Sequence, residues 1–417
     1  MQERREPFSA RDKWAIVGTH SANGTSILRS SKNSGERPAI LQIVPMLDAG
    51  GAERTTVDIA AALARQGFRP LVATHGGRLV GELQRAGGEW IELAVHSKWP
   101  ATLLANIGRI RRIVRRQNIK LLHARSRAPA WSAFYAARAE KIPFVTTYHG
   151  IYNAKGPVKR YYNSIMARGD AVIANSEWTA GHIRSEHSFA PKRLAVIPRG
   201  VDLERFDPAR ISRERVESLR ASWGARQGDI VVFLPGRLTR WKGQSALIKA
   251  MGNLKQGGSG TALRAVLAGD PQGRESYKAE LSALASSLGL SENLLIADHI
   301  VDMPVAYLAA DIVVSASTDP EAFGRVAAEA GAMGRPVVAT DHGGSREIIL
   351  RDKSGLLIAP GDPLALSAAI DKLAAAGPEF RRHMGEAARA HVTSHFTVER
   401  MCADTIALYR ELLNDQP

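Results

Sequence analysis

The chain has 417 residues and a hydrophobic content of 45%, which is enough for two α/β domains of roughly 170 to 200 residues each. No apolar run approaches the ~18 residues that cross a bilayer, and the single cysteine, Cys402, excludes a framework of internal disulfides and is typical of a reducing compartment. The net charge of +15 is confined to the first half, since residues 1–210 carry 33 Lys and Arg against 17 Asp and Glu.

Composition and pattern divide the chain into four parts. Residues 1–37 contain charges, Ser, Asn and Gly without apolar periodicity, which predicts a disordered tail and not a cleavable signal peptide. We expect a first domain at 38–205, a second domain at 206–395 and a C-terminal helix at 396–417, with Thr397 as its N-cap.

In both domains, short apolar runs alternate with segments of helical periodicity, which predicts parallel strands joined by helices. The first domain has predicted strands at 40–45, 69–74, 90–93, 120–123, 144–148, 171–174 and 194–197, and helices at 55–66, 81–86, 101–117, 130–140, 161–168 and 177–186. The second has predicted strands at 230–234, 265–269, 294–297, 312–316 and 337–340, and helices at 244–252, 275–288, 303–310 and 345–350. The fold class is therefore α/β, with two doubly wound sheets that bind ligands at the carboxyl ends of their strands.

Two glutamates stand out in the segment 318–340. Glu321 is predicted in a turn and Glu329 about one turn inside an Ala-rich helix, where close packing leaves a carboxylate in a crowded and partly dry place. Such a carboxylate needs a protein partner, for which Arg325 and Arg346 are candidates, or a ligand with hydroxyl groups. The alternative is that both are surface glutamates of an amphipathic helix.

Cations precede the same region of the second domain. A strand ends at Gly236 and Arg237, and Lys242 follows five residues later, so the two cations could neutralise a diphosphate without a metal. The backbone N–H groups of Gly324, Arg325 and Val326 open the helix of Glu329 and form an anion site by geometry. Diphosphate and diol recognition together describe a nucleotide sugar, whose ribose hydroxyls would bind Glu329 and whose sugar hydroxyls would bind Glu321. Ordinary surface cations are the alternative.

The first domain offers weaker signals. The pair Gly50 and Gly51 precedes a predicted helix by three or four residues and would let the backbone approach a ligand phosphate. His149 ends a strand at the carboxyl edge, where either a structural or a functional role is open. No HExxH or CxxC pattern occurs, so metal catalysis has little support.

The segment 109–120 is the densest basic stretch. Apolar Ile110, Ile113 and Val114 form a helical stripe, and a wet cationic face is formed by Arg111, Arg112, Arg115 and Arg116. This face could be merely solvated, or it could bind an anionic membrane or nucleic acid. A membrane is favoured over nucleic acid because no aromatic residue is interleaved with these cations.

Seven short motifs in order carry a resemblance to a known family. They are Gly50–Arg54, His149–Gly150, Ala174–Ser176, Ile197–Asp202, Gly236–Gly243, Leu267–Asp270 and the pattern from Glu321 to Ala330 with Phe323, Gly324 and Glu329. Together they span most of residues 38–413, and the sequence resembles glycosyltransferase family 4, a family of retaining enzymes with the GT-B fold. Pro271 stands where the family usually has glycine, which affects the shape of that loop.

The resemblance implies two Rossmann-like domains that face each other across a cleft, with a C-terminal helix that returns to the first domain. It implies that Arg237 and Lys242 hold the donor diphosphate, that Glu329 binds the ribose, and that Glu321 binds the transferred sugar with the backbone at Phe323 and Gly324. Gly51 would contact the phosphate from across the cleft, and His149 would lie beside the donor sugar. The family's leaving phosphate accepts the proton of the acceptor hydroxyl.

The function implied by the resemblance is retaining, metal-independent transfer of a sugar from a UDP- or GDP-sugar, without any other cofactor. The acceptor would be a saccharide or a lipid-linked saccharide in lipopolysaccharide, polysaccharide or glycolipid synthesis. We expect a cytoplasmic protein that is peripheral on the anionic inner-membrane surface and does not bind nucleic acid. The alternatives are a nucleotide-sugar 2-epimerase, which shares the fold, and a non-catalytic binder of nucleotides or nucleic acid.

Overall fold

A computed structural model of the chain describes residues 37–48, 50–152, 156–187, 189–257 and 262–414. These residues belong to one compact unit that begins at Arg37. The tail predicted at 1–37 therefore lies outside the described residues, except for Arg37 itself.

The first half of the described chain forms a seven-stranded parallel sheet with the strand order β3-β2-β1-β4-β5-β6-β7. Its strands are β1 (Ala39–Ile43), β2 (Arg69–Thr74), β3 (Glu89–Glu92), β4 (Ile119–Ala124), β5 (Phe144–Tyr148), β6 (Ala171–Ala174) and β7 (Leu194–Val196). The helices between them are α1 (Gly51–Arg65), α2 (Val80–Arg85), α3 (Pro100–Arg116), α4 (Arg127–Glu140), α5 (Pro157–Ser164) and α6 (Glu177–Glu186).

The second half forms a six-stranded parallel sheet with the order β10-β9-β8-β11-β12-β13. Its strands are β8 (Ile230–Pro235), β9 (Leu263–Ala268), β10 (Leu294–Ala297), β11 (Ile312–Ser315), β12 (Val337–Thr340) and β13 (Gly355–Ile358). Its helices are α7 (Arg213–Ser222), α8 (Gln244–Gln256), α9 (Glu275–Ser287), α10 (Met303–Ala309), α11 (Arg325–Ala332), α12 (Ser345–Ile348), α13 (Pro363–Ala375) and α14 (Gly377–His395). The predicted pair of doubly wound α/β sheets is confirmed.

Both sheets are covered by helices on both faces, which explains why their strands read as continuous apolar runs. Every residue of β8 is buried, and its side chains alternate between two apolar clusters: Val232 and Leu234 face one, and Val231 and Phe233 face the other. Each such side chain contributes roughly 1.5 to 3 kcal/mol when it leaves water. The sheets are therefore rigid platforms, and the loops at the carboxyl ends of their strands are held in fixed positions.

The last helix, α15 (Val398–Asn414), packs against the first sheet and not the second. Its Met401, Ile406 and Tyr409 share an apolar cluster with Ile40 and Leu121, and the Tyr409 hydroxyl bonds the buried His123 ring. The N–H of Arg400 donates to Oγ1 of Thr397 at 3.1 Å, in the predicted N-cap arrangement. The predicted return of the C-terminal helix to the first domain is confirmed.

Two local predictions differ from the structure. The helix predicted at 55–66 begins at Gly51, with Gly50 as its N-cap, so the glycine pair opens the helix and does not precede it by three or four residues. Glycine is disfavoured inside helices but accepted at N-caps, which is why propensity placed the start too late. The prediction has no element at 351–395, where β13, α13 and α14 lie. The four-residue apolar run of β13 does not distinguish a strand from a helix, whereas the apolar residues of α13 recur at helical spacing and were a signal that the prediction missed.

None of the helices in the described residues is both long enough and apolar enough to span a membrane.

Candidate functional site

The loop that follows β8 brings the predicted cations to the carboxyl edge of the second sheet. Gly236 has a φ of 154°, and a Cβ added to it would lie 3.6 Å from Cδ of Lys242, so the two residues lie side by side. The Arg237 side chain is exposed, and its guanidinium makes no hydrogen bond or ion pair with any residue that the structure describes. Arg237 is therefore positioned as a cation that can bind a ligand.

Lys242 forms an ion pair with Glu321. Its Nζ lies 2.8 Å from Oε1 of Glu321, which also accepts a hydrogen bond from the Ser317 hydroxyl at 2.5 Å. Burial raises the pKa of Glu321, but the charge and hydrogen bond of Lys242 and the bond from Ser317 outweigh it, so the pKa lies below its usual value. Glu321 is therefore an ionised acceptor in a nearly dry environment.

Glu329 lies one turn inside α11 and has two protein partners. Arg325 Nε lies 3.1 Å from Oε1 of Glu329, and the Tyr307 hydroxyl donates to Oε2 at 2.8 Å. Of the two candidate partners in the sequence, Arg325 is right and Arg346 is wrong, because Arg346 pairs with Asp341 at 3.0 Å. Each carboxylate oxygen of Glu329 keeps a lone pair for a further donor such as a ligand hydroxyl.

The start of α11 presents backbone donors beside these carboxylates. Gly324 has a φ of 94°, and a Cβ there would lie 2.7 Å from Oγ of Ser345, so the turn requires glycine. The N–H groups of Phe323, Gly324, Arg325 and Val326 donate to no protein group in the described part of the chain. The Phe323 side chain is buried against Phe396, so only its backbone can face a ligand.

The first domain contributes Gly51 and Arg199 to the same region. A Cβ added at Gly51 would overlap Nη1 of Arg199 and lie 3.3 Å from Nη1 of Arg325. Gly51 at the start of α1 and Arg325 at the start of α11 therefore approach each other from the two halves of the chain. Gly50, the N-cap of α1, is exposed beside them.

His149 is held between two arginines. Its Nδ1 accepts a hydrogen bond from Nη2 of Arg199 at 2.8 Å, and its Nε2 lies 3.5 Å from Nη1 of Arg125. Burial, followed by the charges of Arg199 and Arg125, lowers the pKa of His149 well below its usual value. The ring is therefore neutral at pH 7, and its acceptor nitrogen is already occupied.

The turn of Glu321 is also tied to the first domain. The hydroxyls of Ser176 and Thr179 donate to the carbonyl of Ala322 at 2.6 and 3.1 Å. The Glu347 carboxylate accepts the backbone N–H groups of Glu177 and Trp178, at the start of α6, at 2.9 and 2.8 Å. These bonds fix the distance between the two sheets at the point where the cations and carboxylates converge.

Among the described residues, no group of three His, Cys, Asp or Glu side chains could hold a metal ion.

The structure thus brings together at one cleft most of the residues that the sequence singled out. Sequence reasoning missed the partners that orient them: Tyr307, Ser317, Ser176, Arg125 and Arg199. Tyr307 lies in an apolar helix and Ser317 follows a buried strand, so both match the pattern of core residues. Arg199 and Ser176 belong to the motifs Ile197–Asp202 and Ala174–Ser176, so the sequence carries a signal for these two residues.

Two parallel sheets that face a cleft lined by cations, carboxylates and helix N-termini are typical of two-domain α/β proteins that bind an anionic ligand with hydroxyl groups. The chain matches the family model Glycosyltransferase Family 4 over residues 49–205 and the model Glycosyl transferases group 1 over residues 215–391. A crystal structure of a glycosyltransferase from Rickettsia africae is 32% identical, with a TM-score of 0.83, and the match covers 91% of this chain and 100% of that one. The chain belongs to glycosyltransferase family 4.

Two further relatives are similar over different lengths. The structure of Anabaena Alr3699/HepE in complex with UDP-glucose is 25% identical, with a TM-score of 0.75, and the match covers 88% of this chain and 99% of that one. A D-inositol 3-phosphate glycosyltransferase of Segniliparus rotundus is 31% identical over 286 residues, which are 65% of this chain and 62% of that protein. The match to the Segniliparus protein thus spans less than two thirds of its length.

Proposed function

We propose that the protein transfers a sugar from a nucleoside diphosphate sugar to a hydroxyl group of an acceptor. The observation that carries the proposal is the convergence of Arg237, Lys242 and the start of α11 on two ionisable carboxylates, Glu321 and Glu329. Cations and backbone N–H groups suit a diphosphate, and carboxylates suit hydroxyl groups. The complex of Anabaena Alr3699/HepE with UDP-glucose supports this class of donor, and the base is either uracil or guanine.

In this proposal, Arg237 and Lys242 bind the diphosphate, and the N–H groups of Gly324, Arg325 and Val326 bind its oxygens from the other side. Glu329 accepts hydrogen bonds from the ribose, with Arg325 and Tyr307 holding its orientation. Glu321 and the backbone at Phe323 and Gly324 bind the transferred sugar. Gly50 and Gly51 complete the phosphate site from the first domain.

We further propose that transfer proceeds with retention and without a metal. The bond between the sugar C1 and the phosphate oxygen breaks, the acceptor oxygen bonds C1 on the same face, and the acceptor proton passes to the leaving phosphate. Negative charge grows on the diphosphate, so preorganised cations stabilise the transition state more than the ground state. His149 does not act as the base in this scheme, because its Nδ1 already accepts a hydrogen bond from Arg199. Its role is to form the side of the sugar site that belongs to the first domain.

The family comparisons favour sugar transfer over the two alternatives. An epimerase converts a nucleotide sugar without an acceptor, and a binding protein does not consume it. Incubation with UDP- and GDP-sugars, with and without a lipid-linked saccharide acceptor, separates the three. We expect nucleoside diphosphate to be released only when acceptor is present, with the anomeric configuration retained in the product by NMR. Conversion without acceptor would establish the epimerase, and no conversion with any donor would contradict transfer.

We propose that the acceptor is a saccharide or a lipid-linked saccharide, reached at an anionic membrane surface. Of the four arginines that the sequence predicts to face the membrane, two are paired with a carboxylate in the structure. Arg111 and Arg115 of α3 bond the two oxygens of Glu140 at 2.7 and 2.8 Å, so the basic stripe is partly neutralised. Arg112 and Arg116 remain exposed.

Exposed apolar side chains also occur at the start of α3 and on α5 in the same domain. The rings of Trp131 in α4 and Tyr161 in α5 are tilted against each other, with 5.3 Å between their centroids. The exposed large side chains of this surface are Trp99, Leu104, Val158 and Tyr161, with exposed fractions of 69%, 69%, 82% and 59%. Aromatic and aliphatic side chains beside cations are typical of surfaces that lie in a membrane interface. We call these four residues the apolar surface of the first domain.

A further inference from the structure

Three guanidinium groups meet at the first-domain side of the cleft. Nη1 of Arg199 and Nη1 of Arg325 both lie against Gly51, and Arg125 approaches the other side of His149. Only Arg325 has a carboxylate partner, Glu329. No carboxylate of a described residue lies within ion-pair distance of Arg125 or Arg199. Arg125 is 3% exposed and bonds the neutral Gln42 side chain.

A small cavity behind His149 connects these arginines to an unpartnered amide. Asn175 is 1% exposed and lines the cavity together with Arg125 and Arg199, and neither its Nδ2 nor its Oδ1 has a hydrogen-bond partner among the described residues. Nε of Arg199 is buried and also lacks a hydrogen-bond partner in the part of the chain that the structure describes. Leaving such groups unpaired is costly, and positive charge without a counter-ion adds to the cost.

A buried water could satisfy the Asn175 amide, but it would not neutralise the arginines. Burial lowers the pKa of Arg199 to about 10, and the charges of Arg325 and Arg125 act in the same direction. The Glu53 carboxylate attracts Arg199 electrostatically but forms no hydrogen bond or ion pair with it. The first turn of α1, a helix of 15 residues, adds a further positive end at Gly51.

We propose that Arg199, with Arg325 and the start of α1 at Gly51, forms an anion subsite that binds a phosphate or carboxylate group of a substrate. Its assignment to a substrate rests on the proposed sugar transfer. Two sources carry this chemistry: the diphosphate of the donor, and an anionic substituent on the acceptor. Arg125 and Asn175 line the cavity next to Arg199, and Arg125 contacts His149, so both residues support the subsite from the inner side of the first domain.

Arg199→Gln tests the subsite, with Arg184→Gln as the matched control because Arg184 is an exposed arginine of the same domain on α6. The full chain is titrated calorimetrically with UDP, with GDP and with the corresponding nucleosides. If the donor diphosphate is the source, Arg199→Gln weakens UDP or GDP binding about tenfold and leaves nucleoside binding unchanged. Arg184→Gln binds as the wild type does.

A second experiment tests whether the subsite binds an anionic group of the acceptor. Inorganic phosphate is added to protein saturated with the nucleoside diphosphate, and the shift in thermal denaturation is recorded. If the acceptor's anion is the source, phosphate stabilises the wild type and not Arg199→Gln, while nucleotide affinity is equal in both. Gly51→Ala, whose Cβ displaces the tip of Arg199, should reproduce the loss in either arm. Wild-type behaviour of Arg199→Gln in both arms overturns the proposal.

Failure of the proposed function gives a different result. A wild-type protein that binds neither UDP nor GDP contradicts nucleotide-sugar transfer. Phosphate binding compared between the wild type and Arg199→Gln without nucleotide still tests the anion subsite, because a loss in the variant supports the subsite and equal binding overturns it.

Discussion

The Lys242 ammonium lies 2.8 Å from Oε1 of Glu321, and both side chains are only 14% exposed. A pair this dry is costly to break, because removing either partner leaves the other as an uncompensated charge, at a cost of about 3 to 5 kcal/mol. The pKa of Glu321 lies below its usual value in the fold. Its contribution to stability is therefore present above pH 4.5 and is lost as the pH falls through the folded pKa.

Lys242 and Arg237 are predicted to act alike in catalysis and differently in stability. Lys242→Met and Arg237→Ala should each reduce turnover at least ~100-fold, since each removes a charge that stabilises the leaving diphosphate. Lys242→Met should also lower the free energy of unfolding by about 3 kcal/mol, whereas Arg237→Ala should leave it within about 0.5 kcal/mol because its side chain is exposed. Turnover and urea denaturation measure the two effects.

The control for this pair is Arg240→Ala. Arg240 lies in the same loop, is 74% exposed and bonds Glu280 away from the carboxylates. It should keep both activity and stability. Near wild-type turnover in both Lys242→Met and Arg237→Ala would remove these residues from the diphosphate site.

The sequence predicts that Lys242 and Glu321 belong to one donor site, although it does not predict the ion pair between them. Lys242 follows β8 and Glu321 follows β11, and these strands are neighbours in the sheet. In a parallel sheet the segments after neighbouring strands share an edge, so pattern and topology rules together bring the two charges close. The order of the strands is therefore enough to explain why Glu321 lies near Lys242.

Other contacts depend on packing that the sequence pattern does not encode. Tyr307 looks like a core residue because its helix is apolar throughout, and only the docking of α10 beside α11 brings its hydroxyl to Glu329. Arg199 reaches Gly51 because of the path that the chain takes after β7, and Glu140 pairs with Arg111 because α3 packs on α4. Such side-chain pairs are set by element orientation, which periodicity does not determine.

Tyr307→Phe should weaken donor binding with little effect on the chemical step. The hydroxyl orients Glu329 without reaching the reacting atoms, so its loss removes binding that is equal in the ground and transition states. We expect KM for the nucleotide sugar to rise about 3- to 30-fold while kcat stays within twofold, and the free energy of unfolding to fall by about 1.5 kcal/mol. A fall in kcat with unchanged KM would contradict this role.

Ser176→Ala should weaken the tie between the first domain and the turn of Glu321. The Ser176 hydroxyl accepts the Thr179 N–H at 3.0 Å as the N-cap of α6 and donates to the Ala322 carbonyl. Losing the cap costs about 1 kcal/mol, and losing the Ala322 bond loosens Glu321, so both stability and kcat should fall. Ser185→Ala is the control, because Ser185 is an exposed serine on the same helix that bonds only the His182 carbonyl. A kcat for Ser176→Ala equal to that of Ser185→Ala would show that the bond to Ala322 does not position Glu321.

Asp58→Asn should stabilise the protein at neutral pH and not in acid. Burial raises the pKa of Asp58 to about 6, against the opposing charge of Arg54. The folded state therefore holds the proton more tightly than the unfolded state, and stability is lost as the pH rises from 3.8 through about 6. The loss is about 3 kcal/mol at 1.36 kcal/mol per pKa unit.

Because Arg54 also pairs with Glu82, it keeps a carboxylate partner in Asp58→Asn. Urea denaturation of the wild type and the variant should show a stability gain at pH 7 that disappears below pH 4. A gain of the same size at both pH values would mean that ionisation of Asp58 is not its cause.

Val158→Ser with Tyr161→Ser should weaken membrane binding. These residues lie three positions apart on α5, so they share a face, and neighbouring Lys159 is exposed as well. Each apolar side chain that enters the interface contributes roughly 1.5 kcal/mol or more, so the double variant should bind vesicles of phosphatidylcholine and phosphatidylglycerol at least tenfold more weakly. Vesicle sedimentation measures the affinity. The control is Val301→Ser with Leu364→Ser, which removes two side chains of the second domain that are 77% and 70% exposed. Equal affinity of the wild type for anionic and neutral vesicles, or equal losses in the two double variants, would contradict docking through the apolar surface of the first domain.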